Sequence, residues 1–286
     1  MTDQPTEIAR LPQPLWMAGC GNMGSAIVAG WRSAGFDLSG LTIVRPSGAE
    51  VAGVRTVTDA RDAGSAPAVV VLAMKPQQLD AVAAALRPHL SSKTLVVSIL
   101  AGVELASLRQ RFPGVRAVVR AMPNLAVAMR RGVIALAGDN EDAALKREVA
   151  EIFQPLGFAP WMIDEEKFAA VGSVAGAGPA YVARFIAALT KAGEKLGLSP
   201  EMASTVALET VFGTAWMAAG TGEPMDSIAN RVASPGGTTE AGLAVLDRNG
   251  VFEELLALAI GAASRRGTAL ARSARDPSLA ETPTVN

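Results

Sequence analysis

The chain has 286 residues, half of them hydrophobic, and 26 Lys and Arg nearly balance 27 Asp and Glu for a formal net charge of −1. This composition fits a globular protein of one large domain or two ordinary ones. It argues against disorder, a basic nucleic-acid-binding face and, since apolar runs such as Ala68 to Met74 are short, a membrane span. A single cysteine, Cys20, excludes an internal disulfide framework or a cysteine-rich zinc site. A single histidine, His89, leaves little from which to build a His-bound metal centre or a Ser-His-Asp hydrolase. No metal is therefore expected, neither nucleic acid nor membrane is an expected partner, and the cytoplasm is the default location.

Residues 1–13 are polar with scattered proline and lack the apolar stretch of a secretory leader, so they read as a flexible segment. Leu15 to Ala18 is a buried strand, followed by a glycine turn and a helix through Ala34. Leu41 to Val44, Val69 to Met74 and Leu95 to Ile99 are further strands, and Ala117 to Met122, Val133 to Ala137 and Phe158 to Ile163 can each add one. Strands alternating with helical patterns predict a mostly parallel, doubly wound sheet covered on both faces, an α/β Rossmann-like domain over 14–164. From Asp164 the strands stop. Lys167 to Val174, Pro179 to Leu196, Pro200 to Ala219, Thr239 to Arg248 and Phe252 to Ala271 read as helices. Pro179 and Pro200 suit first-turn positions, and Gly197 and Gly220 suit helix ends. This all-α region, 165–272, is rich in Ala and Leu with small residues inside its helices. Its apolar faces exceed what one small domain can cover, so a homodimer through this half is expected. Residues 273–286 read as a flexible tail.

Gly19, Gly21 and Gly24 form G-x-G-x-x-G between a predicted strand and a predicted helix. There the first glycine makes the tight turn, the second lets a pyrophosphate approach the backbone, and the third lets helix and strand pack. Gly19, Cys20, Gly21, Asn22, Met23 and Gly24 are thus candidate dinucleotide contacts, with Cys20 a small filler rather than a nucleophile. An NAD site usually carries Asp or Glu at the end of the second strand. This chain has Arg45, Pro46 and Ser47, and an arginine suits a 2′-phosphate, so NADPH is expected over NADH. Ligands bind beyond the carboxyl ends of parallel strands. That draws in Ala73, Met74, Lys75 and Pro76 after the third strand, and Ile99, Leu100 and Ala101 after the fourth.

The run Ser234-Pro235-Gly236-Gly237-Thr238-Thr239 precedes a predicted helix far from that motif. Proline fixes one φ, the glycines free the next two residues, and the helix start offers unpaired N–H groups with the positive end of the peptide dipole. It reads either as an ordinary Thr-capped loop or as a pocket for a carboxylate.

In this order the pieces resemble the pyrroline-5-carboxylate reductase family from about Leu15 to Ala271. They are the glycine motif, Met74-Lys75-Pro76-Gln77, Arg120-Ala121-Met122-Pro123-Asn124, Gly176-Ala177-Gly178-Pro179-Ala180-Tyr181 and Ser234 to Thr239. The resemblance implies hydride transfer from NAD(P)H to the C=N carbon of a cyclic imine carboxylate, giving L-proline in the last step of proline biosynthesis. It implies interlocked dimers, assembled five at a time into decamers in many members, and it adds Asn124 to the coenzyme contacts. The candidate substrate contacts are Arg231, Ser234, Gly236, Gly237, Thr238 and Thr239. The amides of Gly237, Thr238 and Thr239 would hold the carboxylate, and Thr239, the candidate catalytic residue, would orient the imine nitrogen. The chain departs from the family pattern at Leu125 and Ala126 after Asn124, at Ala177, at Ala60 and at Arg231. Rival readings are a reductase of another cyclic imine, a 3-hydroxyacid dehydrogenase-like enzyme, and a non-catalytic dinucleotide-binding protein. The dehydrogenase reading needs an early lysine on the first long C-terminal helix, and Lys191 lies well down it.

Overall fold

A computed structural model describes residues 10–140 and 142–275. One eight-stranded sheet has the order β3-β2-β1-β4-β5-β6-β7-β8. Its strands are β1 (Leu15–Ala18), β2 (Leu41–Val44), β3 (Arg55–Val57), β4 (Val69–Leu72), β5 (Leu95–Ser98), β6 (Ala117–Pro123), β7 (Gly132–Gly138) and β8 (Gly157–Phe158). All neighbours pair parallel except β6 with β7. Four helices intervene: α1 (Asn22–Ser33), α2 (Leu79–Leu86), α3 (Leu105–Arg111) and α4 (Ala143–Phe153). Every residue of β1, β4 and β5 is buried. Alternation splits their side chains between two cores. Leu15 and Met17 pack with Ile27 and Trp31 of α1 on one face, while Trp16 and Ala18 pack with Leu79 and Leu86 of α2 on the other. The chain winds outward from β1 through β2 to β3 and then returns to the far side of β1 as β4. The strand order therefore reverses between β1 and β4, where doubly wound sheets bind ligands.

The helical region comprises α5 (Glu165–Lys195), α6 (Pro200–Thr221), α7 (Met225–Val232), α8 (Thr238–Leu246) and α9 (Val251–Arg275). Two compact units emerge, one from residues up to Gly176 together with those from Ala263 onward, the other from Ala177–Ala262. The sheet unit thus extends past residue 164, where the helical region begins, into the first turns of α5. In those turns Phe168 is fully buried, Gly172 lies against Met122, and Glu165 pairs with Arg120 of β6. The end of α9 also belongs to that unit, with its Leu270 and Ala271 backbone against Gly102.

Several expectations need correction. β3 is a strand the sequence pattern hides, only three residues long with Arg55 exposed. The strand expected over Phe158 to Ile163 shrinks to β8 and a single bridge from Trp161 to Leu136, because Pro160 has no N–H for a ladder. Pro179 does not start a helix but lies inside the unbroken α5. α6 does begin at Pro200, capped by the Ser199 hydroxyl accepting the Met202 N–H at 3.2 Å, but it runs past Gly220 to a left-handed cap at Gly222. α7 was not anticipated. Of the segment expected to be flexible, Leu11 is in the core and Arg10 forms a β-bridge with Asp37, while residues 1–9 lie outside the described residues. Of the expected tail, 273–275 complete α9 and 276–286 lie outside the described residues. No described helix is long and apolar enough to cross a membrane.

Candidate functional site

A cleft of about 970 Å³ opens at the carboxyl ends of β1, β2 and β4. Its floor is the β1–α1 turn. Gly19 has φ +77°, and a Cβ there would lie 2.9 Å from the Met74 backbone, so only glycine fits. A Cβ on Gly24 would press on Cys20 Sγ and Met17 Sδ at 3.3 Å, which lets α1 settle against β1. Gly21 differs: a Cβ there meets no protein atom within 4 Å. Protein packing does not demand a glycine at that point, whereas a ligand approaching the backbone does. Gly21 also caps α1 without any side-chain bond to the first turn, so the opening amides of α1 are left for an anion at the cleft. These features fit the pyrophosphate of a dinucleotide.

Of the predicted coenzyme residues, Gly19, Cys20, Gly21, Asn22, Met23, Arg45, Ser47, Ala73, Met74 and Lys75 line this cleft. Cys20 is buried and in contact with Ser25 Oγ at 3.6 Å, as a filler would be. Gly24 lies just behind the lining. Pro76 opens a turn beside it and is not part of it. Ile99 and Leu100 turn into the two cores, and exposed Ala101 does not line the cleft either. Asn124 is also absent, and its chemistry is committed elsewhere. Its Oδ1 accepts the Val133 N–H at 3.3 Å, and its Nδ2 donates to the Ala175 carbonyl at 3.1 Å. Ala175 stands four residues before Pro179, so its carbonyl is the one that proline, lacking N–H, leaves without a helical partner. Asn124 fills that vacancy and thereby allows α5 to run on through Pro179.

The structure adds lining residues that sequence reasoning missed: Thr58 and Asp59 after β3, Gln78 just before α2, and Val82, Ala85 and Leu86 along α2; Ala60, one of the departures from the family pattern, also lines the cleft. Thr58 and Asp59 were invisible because β3 itself was unread. The Arg45 loop is joined to them directly. Arg45 N–H donates to the Val57 carbonyl at 2.9 Å, and a Cβ on Gly48 would come within 3.2 Å of the Thr58 methyl.

In the helical unit, the Ser234–Thr239 run turns tightly before α8. Gly236 has φ +71°, Gly237 N–H donates to the Ser234 carbonyl at 2.9 Å, and Gly236 N–H donates to Glu240 Oε2 at 2.7 Å. The expected Thr cap is replaced by Gly237, with no side-chain cap bond. Of the three amides predicted to face a carboxylate, that of Gly237 is therefore spent on the turn. Those of Thr238 and Thr239 have no hydrogen-bond partner among the described residues. α1 and α8 thus share a glycine cap and an open first turn, whereas Asp142 caps α4 and Ser199 caps α6. Ser234 and Thr238 are exposed and Thr239 is half-buried. Arg231 Nη2 lies 2.9 Å from Glu223 Oε2 and 3.2 Å from Met217 Sδ at the end of α6, and the rest of its side chain is exposed. Tyr181, in mid-α5, donates to the Ala259 carbonyl at 3.3 Å. Among the described residues no cluster of His, Cys, Asp or Glu suits a metal.

Comparison with known proteins sharpens this picture. The family model for pyrroline-5-carboxylate reductase dimerisation matches residues 165–270, so this region serves self-association, and the model described as NADP oxidoreductase, coenzyme F420-dependent, matches 17–102. The pyrroline-5-carboxylate reductase of Pseudomonas aeruginosa is 39% identical over 260 residues, covering 88% of this chain and 95% of that protein. That of Synechocystis is 40% identical over 221 residues, covering 77% and 81%. The solved pyrroline-5-carboxylate reductase of Coxiella burnetii superposes with a TM-score of 0.81 at 31% identity, over 94% of this chain and 99% of that one. The NADP-bound pyrroline carboxylate reductase of Plasmodium falciparum gives the same TM-score at 27% identity, over 91% and 98%. By sequence and by fold, this chain belongs to the pyrroline-5-carboxylate reductase family.

Proposed function

We propose that this protein reduces 1-pyrroline-5-carboxylate to L-proline with NADPH, closing proline biosynthesis. Beside family membership, the observation that carries this reading is the Ser234–Thr239 turn, which offers two helix-start amides without a hydrogen-bond partner among the described residues. The substrate carries a carboxylate and an imine, and its carbon becomes electrophilic once the imine nitrogen is protonated. The enzyme must therefore hold the carboxylate, orient the ring and exclude water. The amides of Thr238 and Thr239 bind the carboxylate, each helix-terminal contact contributing about 0.3–1 kcal/mol and more in a dry pocket. Gly236 and Gly237 shape the turn that aims those amides, and Ser234 closes it through its carbonyl. The Thr239 hydroxyl orients the imine nitrogen. It is too weak an acid to be the proton source, which the substrate supplies by arriving as the iminium. The dinucleotide, when bound, supplies the hydride. The β1–α1 turn holds its pyrophosphate, Arg45 and Ser47 hold its 2′-phosphate, and Lys75 adds positive charge. The single buried thiol suits a reducing compartment such as the cytoplasm, and the working assembly is a homodimer through the helical region.

The test is loss of NADPH absorbance with 1-pyrroline-5-carboxylate, set against a six-membered cyclic imine carboxylate and, in the oxidative direction, 3-hydroxyacids with NADP⁺. Turnover with the five-membered imine at least tenfold above the others is expected. Faster turnover of another substrate would reassign the enzyme within its fold.

A further inference from the structure

The coenzyme cleft contains one feature that a site for a phosphorylated dinucleotide should avoid. Among its lining residues Asp59 is the only carboxylate, and it stands at the same end as Arg45 and Ser47, where the 2′-phosphate is expected. A carboxylate at that end is the usual partner of an unphosphorylated ribose, whose hydroxyls it accepts, and it repels a phosphate. In this chain the Asp59 side chain is 41% exposed, but both of its oxygens already accept hydrogen bonds. Asp59 Oδ1 accepts the Arg61 N–H at 2.8 Å and the Arg61 Nε–H at 3.0 Å, and Oδ2 accepts from Arg61 Nη2 at 2.8 Å. Both oxygens are thus engaged by one residue, in the planar fork that arginine forms with carboxylates. Arg61 itself does not line the cleft, and its side chain is 78% exposed. Its hydrogen bonds to Asp59, with a smaller contribution from the charge of His89, hold the Asp59 carboxyl down to about 2.

We propose that Arg61 masks Asp59 and so tunes the coenzyme preference of this protein: the clip offsets the one carboxylate lining the 2′-phosphate end of the cleft and competes with the hydroxyls of NADH for it. Arg45 attracts the phosphate, and the Asp59–Arg61 clip weakens what would oppose it. This rests on the reading of the cleft as an NADPH site, but it is measurable without turnover.

The experiment is titration calorimetry of NADP⁺ and NAD⁺ on the full chain. Wild type is expected to favour NADP⁺. Arg61→Ala frees the carboxylate, so the ratio of Kd values should move toward NAD⁺ by about tenfold, an effect that shrinks at high salt. Asp59→Asn/Arg61→Ala, which keeps an oxygen to cap the turn but removes the charge, should restore the wild-type ratio to within about twofold. Arg61→Lys, with charge but no fork, should fall between. Arg61 is exposed, so its variants should fold, and an unchanged melting midpoint checks this. The inference is overturned if Arg61→Ala leaves the ratio unchanged, if the double variant stays as impaired as Arg61→Ala, or if wild type shows no preference for NADP⁺. Absence of pyrroline-5-carboxylate turnover alongside the expected Kd pattern would overturn the reductase reading and leave the clip standing.

Discussion

The two compact units of this chain solve the same problem, burying an apolar surface, with opposite success. In the sheet unit every residue of the central strands is covered by helices of the same chain. In the helical unit α6 has 22 residues and buries only Ala203 and Ala207, while Val206, Leu208, Phe212 and Trp216 stand exposed on it. Exposed apolar area of that extent marks an interaction surface rather than a finished core. The difference teaches that the coenzyme cleft is a property of one chain, whereas the helical unit is finished by self-association, in keeping with the match to a dimerisation family over 165–270.

The strongest way to break that contrast is a charge on the exposed face. Phe212, stacked on Trp216 with centroids 6.1 Å apart, is the site. Phe212→Glu should yield monomers in sedimentation and lower turnover on the order of a hundredfold, with NADP⁺ binding preserved. Equal losses of binding and turnover would mean that the units are not separable in this way. Within the sheet unit the glycine turn should split into two kinds of position. Gly19→Ala forces a side chain into left-handed backbone against Met74 and should cost about 1–3 kcal/mol of stability besides coenzyme affinity. Gly21→Ala should leave the melting midpoint in place and weaken only the coenzyme, because its Cβ meets no protein atom. Next in size, Thr239→Ala should lower kcat/KM for the imine by about tenfold, roughly 1.4 kcal/mol, with KM for NADPH unchanged. Unaltered kinetics would remove Thr239 from the site.

The smallest effect is an acid one confined to the sheet unit. Asp37 is held below the ordinary carboxylate range by hydrogen bonds from Ser39. Asp59 and Asp80 are held there by hydrogen bonds from Arg61 and Arg111, and Asp59 is brought to about 2. A carboxyl whose pKa is lower in the folded state contributes above its unfolded value, 3.8 for Asp, and loses that contribution as pH falls through the folded one. Chemical denaturation midpoints should therefore be flat from neutrality to about pH 4 and decline toward pH 2. A decline centred above pH 5 would point to other groups.

What is legible in the sequence follows the same division. β1 and β2 match their predicted bounds because continuous apolar runs flanked by turn residues admit few alternatives. β3 was hidden by its shortness and its exposed arginine, and Asp59 was hidden with it. The break expected before Pro179 was wrong for a reason no local pattern holds: the carbonyl that proline orphans is met by Asn124, 51 residues away from Ala175 in sequence. The same bond engages the side chain of Asn124, which does not line the cleft. The pairing of Arg231 with Glu223 was not legible, because α7 was unread. The Ser234–Thr239 run was legible as a helix start, although not that Gly237 would be the cap and spend its own amide on the turn.

The central claim is a transfer of hydride to the imine carbon of 1-pyrroline-5-carboxylate. The direct measurement uses NADPH deuterated at the transferred position, with mass analysis of the product. The account predicts L-proline carrying one deuterium on the ring carbon formerly double-bonded to nitrogen, with one coenzyme oxidised per proline. Unlabelled proline, or coenzyme oxidation without proline, would contradict it.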